Sequence, residues 1–195
     1  SFCDEYARKL APAKDDPYLI GHFSDNELPF PADALDRYLQ LDTNDYGYQA
    51  AVKWLRDHKV DRSAISDADR AAFLEVVADR YFAVTSRAIT KYDPNHLLLG
   101  SRFHAKILDQ KPVFVAAGRY LSVLSINYYD TWTPDPARMK EWTDWSGRPF
   151  IVTEWYVKGA DAGLGNTSGA GWIVPTQLDR GRFYQHFALA LLESK

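Results

Sequence analysis

The sequence predicts an α/β fold: a parallel sheet covered by helices. Two observations predict it. Short apolar segments alternate with helical patterns four times along the 195 residues. Each of those segments is apolar on both faces, as strands covered on both sides must be. A third observation concerns polarity. The N-terminal ends of the four segments (Tyr18, Leu97, Leu121, Phe150) are mostly apolar, whereas their C-terminal ends carry polar and aromatic groups. Ligands bind at the C-terminal ends of strands in parallel α/β folds.

In chain order, 2–11 reads as a short helix stopped by Pro12, and 18–24 (YLIGHFS) as a buried strand. Two short helices follow at 33–41 and 45–57. Ser66 is the expected N-cap of a long helix over 67–92, with Phe73, Val77, Tyr81, Val84 and Ala88 spaced to share one face. Asp93 before Pro94 ends it. A strand at 96–103 is followed by a short helix or turn at 112–120 and a strand at 121–129. A proline-opened helix covers 133–145. The last strand, 149–156 (PFIVTEWY), leads into a glycine-rich loop at 158–175 and a final helix at 176–193.

Composition narrows the function. The chain is 46% hydrophobic, 25% charged and of net charge −3, with no internal repeat. That is globular composition, and it offers nothing to attract a polyanion, so no nucleic-acid partner is expected. No apolar run reaches the ~18 residues of a membrane span. The single cysteine, Cys3, has no catalytic surroundings. The loop at 158–175 lacks the phosphate-cradling glycine patterns, which disfavours a nucleotide, and no His/Cys/Asp spacing suggests a metal. No cofactor is expected. Aromatic residues are abundant, at 14%, and Trp and Tyr stack on the apolar faces of sugars.

The strand ends supply the chemistry. The first ends in Ser24, Asp25, Asn26 and Glu27; the second in Ser101, Arg102, Phe103 and His104; the third in Asn127, Tyr128 and Tyr129; the fourth in Glu154, Trp155 and Tyr156. Two carboxylates on one rim suit glycoside hydrolysis, in which one protonates the leaving oxygen and the other stabilises or attacks the anomeric carbon. The roles separate when the environments differ. Glu154, near Tyr and Arg donors, is expected to stay ionised; Glu27, followed by Leu28, Pro29 and Phe30, is expected to sit drier and hold its proton. Arg102 is a natural counter-charge, and His104 can donate to a hydroxyl or to Glu154. Trp155 and Trp172 are candidate stacking platforms. Trp54, Trp142 and Trp145 lie on helices and are expected to pack.

The motifs SDNE (24–27) and VTEWY (152–156), in that order, resemble the retaining glycoside hydrolases of clan A, which are (β/α)8 barrels. Over nearly the whole chain, YLIGHFSDNELPF and RPFIVTEWYVKGAD, continuing to the final helix, resemble agarase-type members near family 50 and related β-galactosidase-like enzymes. The resemblance implies that residues 1–195 are part of a catalytic (β/α)8 TIM barrel, covering about strands four to seven and truncated at both ends. It implies double displacement on a β-linked galactose-type carbohydrate, with Glu27 as acid/base and Glu154 as nucleophile. It makes Asn26 a contact of the sugar 2-hydroxyl and Tyr128 the hydrogen-bond partner of the nucleophile. It also implies an extracellular or periplasmic setting. Two alternatives remain: a non-catalytic carbohydrate-binding relative of the same fold, and an unrelated α/β ligand-binding module, flavodoxin-like in strand order. Sequential strand order would exclude the latter. Retention requires carboxyl groups ~5 to 5.5 Å apart, inversion ~6.5 to 9.5 Å.

Overall fold

The computed structural model describes residues 2–194. Helix α1 (Phe2–Ala7) continues into a 3-10 turn, Arg8–Ala13, that contains Pro12. The strands are β1 (Gly21–Phe23), β2 (Leu97–Gly100), β3 (Leu124–Asn127) and β4 (Phe150–Glu154). Between β1 and β2 lie α2 (Ala34–Tyr38), α3 (Tyr46–His58) and α4 (Asp67–Tyr92). Helix α5 (Lys111–Gly118) joins β2 to β3, α6 (Pro136–Ser146) joins β3 to β4, and α7 (Gln177–Glu193) ends the chain.

Local chemistry accounts for the helix limits. Ser66 and Asp69 form a reciprocal capping box at the start of α4: the Ser66 hydroxyl accepts from the Asp69 amide and the Asp69 carboxylate accepts from the Ser66 amide. Asp45, Asp135 and Thr176 cap α3, α6 and α7. The buried stripe of α4 centres on Phe73, Leu74, Ala78, Phe82 and Ile89, so Val77, Tyr81 and Val84 flank it. Gly118 ends α5 against α6 so closely that a Cβ there would meet the Ser146 carbonyl at 1.9 Å.

All named strand pairs are parallel. Gly21 faces Leu97 and Phe23 faces Gly100, with a register shift after His22. Leu124 faces Phe150 and Asn127 faces Glu154, with a second shift between Ile126 and Asn127. β2 and β3 are joined by Ser122 and Val123 amides donating to the Leu98 carbonyl, and by a parallel bridge between Phe103 and Ile126. The spatial order is therefore β1-β2-β3-β4, the same as the chain order. There is no topological switch point among these strands, which removes the flavodoxin-like alternative.

Two expectations change. The segment 18–24 is not a buried strand. Only Gly21–Phe23 pairs, and Tyr18 and Ile20 are 92% and 71% exposed. Among the described residues β1 pairs with β2 on one side alone, so the other side is left without a strand neighbour. The glycine-rich loop also carries a two-stranded parallel ribbon, β5 (Lys158–Gly159) with β6 (Ile173–Val174). Two-residue strands have no detectable periodicity, and a Cβ at Gly171 would strike the Tyr156 carbonyl at 2.4 Å, so the loop closes only on glycine.

The core lies between strands and helices. Phe82, Phe103, Phe114 and Trp142 form an aromatic chain through it, and the Trp142 indole donates to the Leu108 carbonyl. β3 is buried throughout. No helix among the described residues is long and apolar enough to cross a membrane.

Candidate active site

The C-terminal strand ends meet in one hydrogen-bonded ring. Gly100, at φ +78°, turns the chain sharply as β2 ends. Arg102 follows at φ +52°, with its amide held by the Ser125 hydroxyl. Glu27 itself sits at φ +53°, fixed by its amide donating to the Ser101 carbonyl at 2.7 Å. Ala105 and Asp130 share this left-handed conformation. Four of the six non-glycine residues with positive φ among those described thus lie on this rim. Such strain persists only where surrounding contacts over-determine it, and it gathers at functional sites.

The Glu154 carboxylate accepts from the Arg102 guanidinium on one oxygen and from the Tyr129 hydroxyl on the other. The other arm of Arg102 donates to Asn26 Oδ1 at 3.0 Å. Across the rim, Glu27 Oε1 accepts from Asn127 Nδ2 at 2.7 Å, and His104 Nδ1 lies 3.8 Å from the same oxygen. His104 packs edge-on against Tyr129. Burial pushes the Tyr129 phenol well up, and its hydrogen bond to Glu154 adds to this, so the proton stays on the tyrosine and is donated to the carboxylate.

The structure brings Glu27, Glu154, Asn26, Arg102 and His104 together, and it departs from expectation in three places. The first is Tyr128. It does not touch Glu154; its side chain is buried between Trp142 and Phe187 and its hydroxyl accepts from the Asp135 amide at 2.9 Å. The tyrosine on the nucleophile candidate is Tyr129. Side chains alternate along an extended segment, so neighbouring tyrosines face opposite ways. Tyr128 follows Leu124 and Ile126 into the core, and the register shift that skips Thr153 turns Glu154 to the side Tyr129 faces.

The second is Trp155. It does not offer a free platform, because it stacks on Tyr184 and Phe187 of α7 and ties β4 to that helix. Trp172, in contrast, stands 45% exposed and stacks at 11° on Trp132, itself 43% exposed. The third is the expected dry–wet split. Glu27 and Glu154 have side-chain exposures of 33% and 35%, so burial does not separate them. Their partners do: a guanidinium and a phenol on Glu154, a neutral amide on Glu27.

Asn127, Tyr129 and Trp132 were missed as site residues. The first two stand in the same strand-end segment as Tyr128, and alternation with the buried Leu124 and Ile126 distinguishes them from it.

A second polar cluster lies where residues 93–96 enter β2. Asp93, buried, accepts from His22 Nε2 at 2.6 Å and from His96 Nδ1 at 2.7 Å, and also from the Asn95 and His96 amides. His96 Nε2 reaches the Asp16 carbonyl at 2.9 Å. No metal was expected. These three side chains are close enough to hold an ion, but the ring nitrogens already point at one carboxylate at hydrogen-bond distance.

A parallel, sequentially ordered α/β array with two carboxylates on its C-terminal rim is the class that geometry defines. No family model matches the chain. Among curated proteins, it is similar to Beta-agarase B of Vibrio sp. (strain JT0107), 24% identical over 222 residues, covering 93% of this chain and 22% of that protein. Among solved structures, it is similar to BpGH50, with 38% identity and a TM-score of 0.89 over 99% of this chain and 44% of that one. It shares the fold of an exo-beta-agarase (24% identity, TM-score 0.81, covering 96% of this chain and 30% of that one). The chain therefore spans under half the length of these relatives.

Proposed function

We propose that these residues form the catalytic centre of an agarase-like glycoside hydrolase of clan A type, acting on a β-linked galactose-type polysaccharide or oligosaccharide. The fold in this reading is a (β/α)8 barrel of which residues 1–195 supply about strands four to seven. The observation that carries it is the convergence of Glu27 and Glu154 on one rim, each held by donors from the ends of other strands. The similarity to BpGH50 over 99% of the chain supports it.

In the proposed double displacement, protonated Glu27 gives its proton to the glycosidic oxygen while the Glu154 carboxylate attacks the anomeric carbon. The leaving sugar departs and a glycosyl ester forms on Glu154. Glu27, now a carboxylate, takes a proton from water, whose oxygen attacks the anomeric carbon and frees Glu154. Arg102 and Tyr129 orient the Glu154 oxygens. Asn26, held by Arg102, faces the sugar hydroxyls, His104 stands beside the acid, and Trp172 with Trp132 offers an aromatic face to a neighbouring sugar unit.

In the intact protein, Glu154→Gly is expected to lower kcat on agarose oligosaccharides by about 10⁴-fold or more, the scale of losing a nucleophile. Unchanged hydrolysis would remove Glu154 from the chemistry. Proton NMR of the first-formed product decides the route: a retained anomer fits double displacement, and an inverted one would replace it with direct attack by water.

A further inference from the structure

The Glu27 carboxyl group has two oxygens, and only one of them can carry the catalytic proton toward the sugar. The contacts around it are unequal. Oε1 accepts from Asn127 Nδ2 at 2.7 Å and is also the oxygen nearest His104. Asn127 is fully buried at the end of β3. Its own Oδ1 accepts from the Thr153 hydroxyl of the neighbouring strand β4 at 3.0 Å, closer than that hydroxyl's other acceptor, the Ile126 carbonyl, at 3.3 Å. A hydroxyl that donates to Oδ1 fixes the amide so that its N–H edge faces Glu27. An oxygen that already accepts an N–H is a poor place for a proton, because an O–H there would meet another donor.

We infer that Asn127, locked by Thr153, is a positioning residue for the acid/base carboxylate: it keeps Glu27 Oε1 an acceptor and directs the proton to Oε2. Asn127 does not touch the reacting atoms; it acts through Glu27. This rests on the glycosidase reading for its catalytic meaning, though the hydrogen-bond relay does not. The pair also links the two carboxylates mechanically. Asn127 faces Glu154 in the β3–β4 register, and Thr153 immediately precedes Glu154, so the residues that orient Glu27 are built into the strands that present Glu154.

The ionisable groups beside Glu27 are Asp25 on its own segment and His104 and Lys106 after β2, with Arg102, Tyr129 and Glu154 joined to that cluster through Asn26 and His104. Arg102 is committed to Asn26 and Glu154. His104 is the ionisable group nearest Oε1, at 3.8 Å, and His104→Gln serves as the control that separates its contribution from that of Glu27.

The test uses the intact protein, with agarose oligosaccharides as substrate, and Asn127→Ala, Thr153→Val and Thr153→Ser. An N–H donor favours the charged form of its acceptor over the neutral form. Removing it therefore moves the alkaline limb of the kcat/KM–pH profile, where the acid loses its proton, to higher pH. Asn127→Ala is expected to lower kcat about 10- to 100-fold, within the range of acid/base catalysis, and to shift that limb up by at least about half a pH unit. Thr153→Val shifts it in the same direction by less, and Thr153→Ser, which keeps the hydroxyl, returns the limb to the wild-type position. A ¹³C NMR titration of the Glu27 carboxyl carbon reads the same upward movement with no turnover required. If wild type hydrolyses nothing, the glycosidase reading fails while the NMR result still decides the relay. If Asn127→Ala loses rate but limb and carboxyl titration stay at their wild-type pH, Asn127 only supports the fold and the inference is overturned.

Discussion

The Asp93 cluster and the rim glutamates are built differently. Asp93 is wholly buried and takes four donors: two imidazoles and two backbone amides. Glu154 and Glu27 have side chains about one-third exposed on the rim. Asp93 spends its capacity on holding chain segments together: β1 through His22, the α4–β2 turn through its own amides, and the N-terminal segment through His96 and the Asp16 carbonyl. The rim glutamates spend only part of theirs, on residues that aim them. Full satisfaction and burial mark a structural carboxylate; partial satisfaction, exposure and strained backbone mark one left free for a ligand.

The largest break in this contrast comes from Asp93→Ala. It leaves two imidazoles and two amides without their buried acceptor, which costs roughly 3 kcal/mol or more. For a chain of this size that is a fall in Tm of about 6 to 12 °C. Thermal unfolding checks it, and a Tm within 2 °C of wild type (about half a kcal/mol on that scale) would show that the clasp is not structural.

The two tyrosines sharpen the comparison within four atoms of backbone. Tyr129→Phe removes the hydroxyl that donates to Glu154 and is expected to lower kcat about 10- to 100-fold, about 1.4 to 2.7 kcal/mol of barrier. Tyr128→Phe loses only its bond to the Asp135 amide, about 1 kcal/mol of stability, with kcat within about threefold of wild type. Steady-state kinetics beside thermal melts of both variants measures the pair; equal kinetic effects would undo the assignment of Tyr129 to Glu154.

The smallest expected effect is the pH dependence of the clasp. Burial works against the Asp93 charge, but hydrogen bonds from His22 and His96 outweigh it and hold its carboxyl at about 2, below the ordinary 3.8. The hydrogen bond to the Asp16 carbonyl, followed by that to Asp93, raises His96 above its ordinary 6.5. A lowered acid stabilises above its unfolded value and loses that as pH falls through 2. A raised histidine stabilises below 6.5 and loses that as pH rises through its folded value. The clasp is therefore strongest between about pH 4 and 6.5. Wild-type Tm is expected to decline on both sides of that window, and His96→Gln to flatten the alkaline side; an unchanged alkaline decline would clear His96 of the effect.

The sequence announced the helices most clearly. α4 begins and ends where Ser66 and Asp93-Pro94 say it should, because capping and proline chemistry act over a few residues. The parallel strand ends were legible too, since polar residues cluster at one end of each apolar run. Burial of a strand was not: 18–24 and 121–129 look alike in composition, yet β3 is enclosed and β1 lies open on one side. Enclosure depends on what lies beside a strand, which composition does not encode.

By itself the sequence determined which residue types stand at the strand ends: two glutamates, an arginine, a histidine, and asparagines and tyrosines beside them. Only the tertiary structure decided which of them touch. A one-residue shift at Thr153, where Ile126 faces Val152 and Asn127 faces Glu154, sets Glu154 toward the side of β3 that carries Asn127 and Tyr129, while Tyr128 follows Leu124 and Ile126 into the core. Side-chain direction in a strand has a period of two, so a single register slip reassigns every partner, and register is set by pairing with a strand more than twenty residues away.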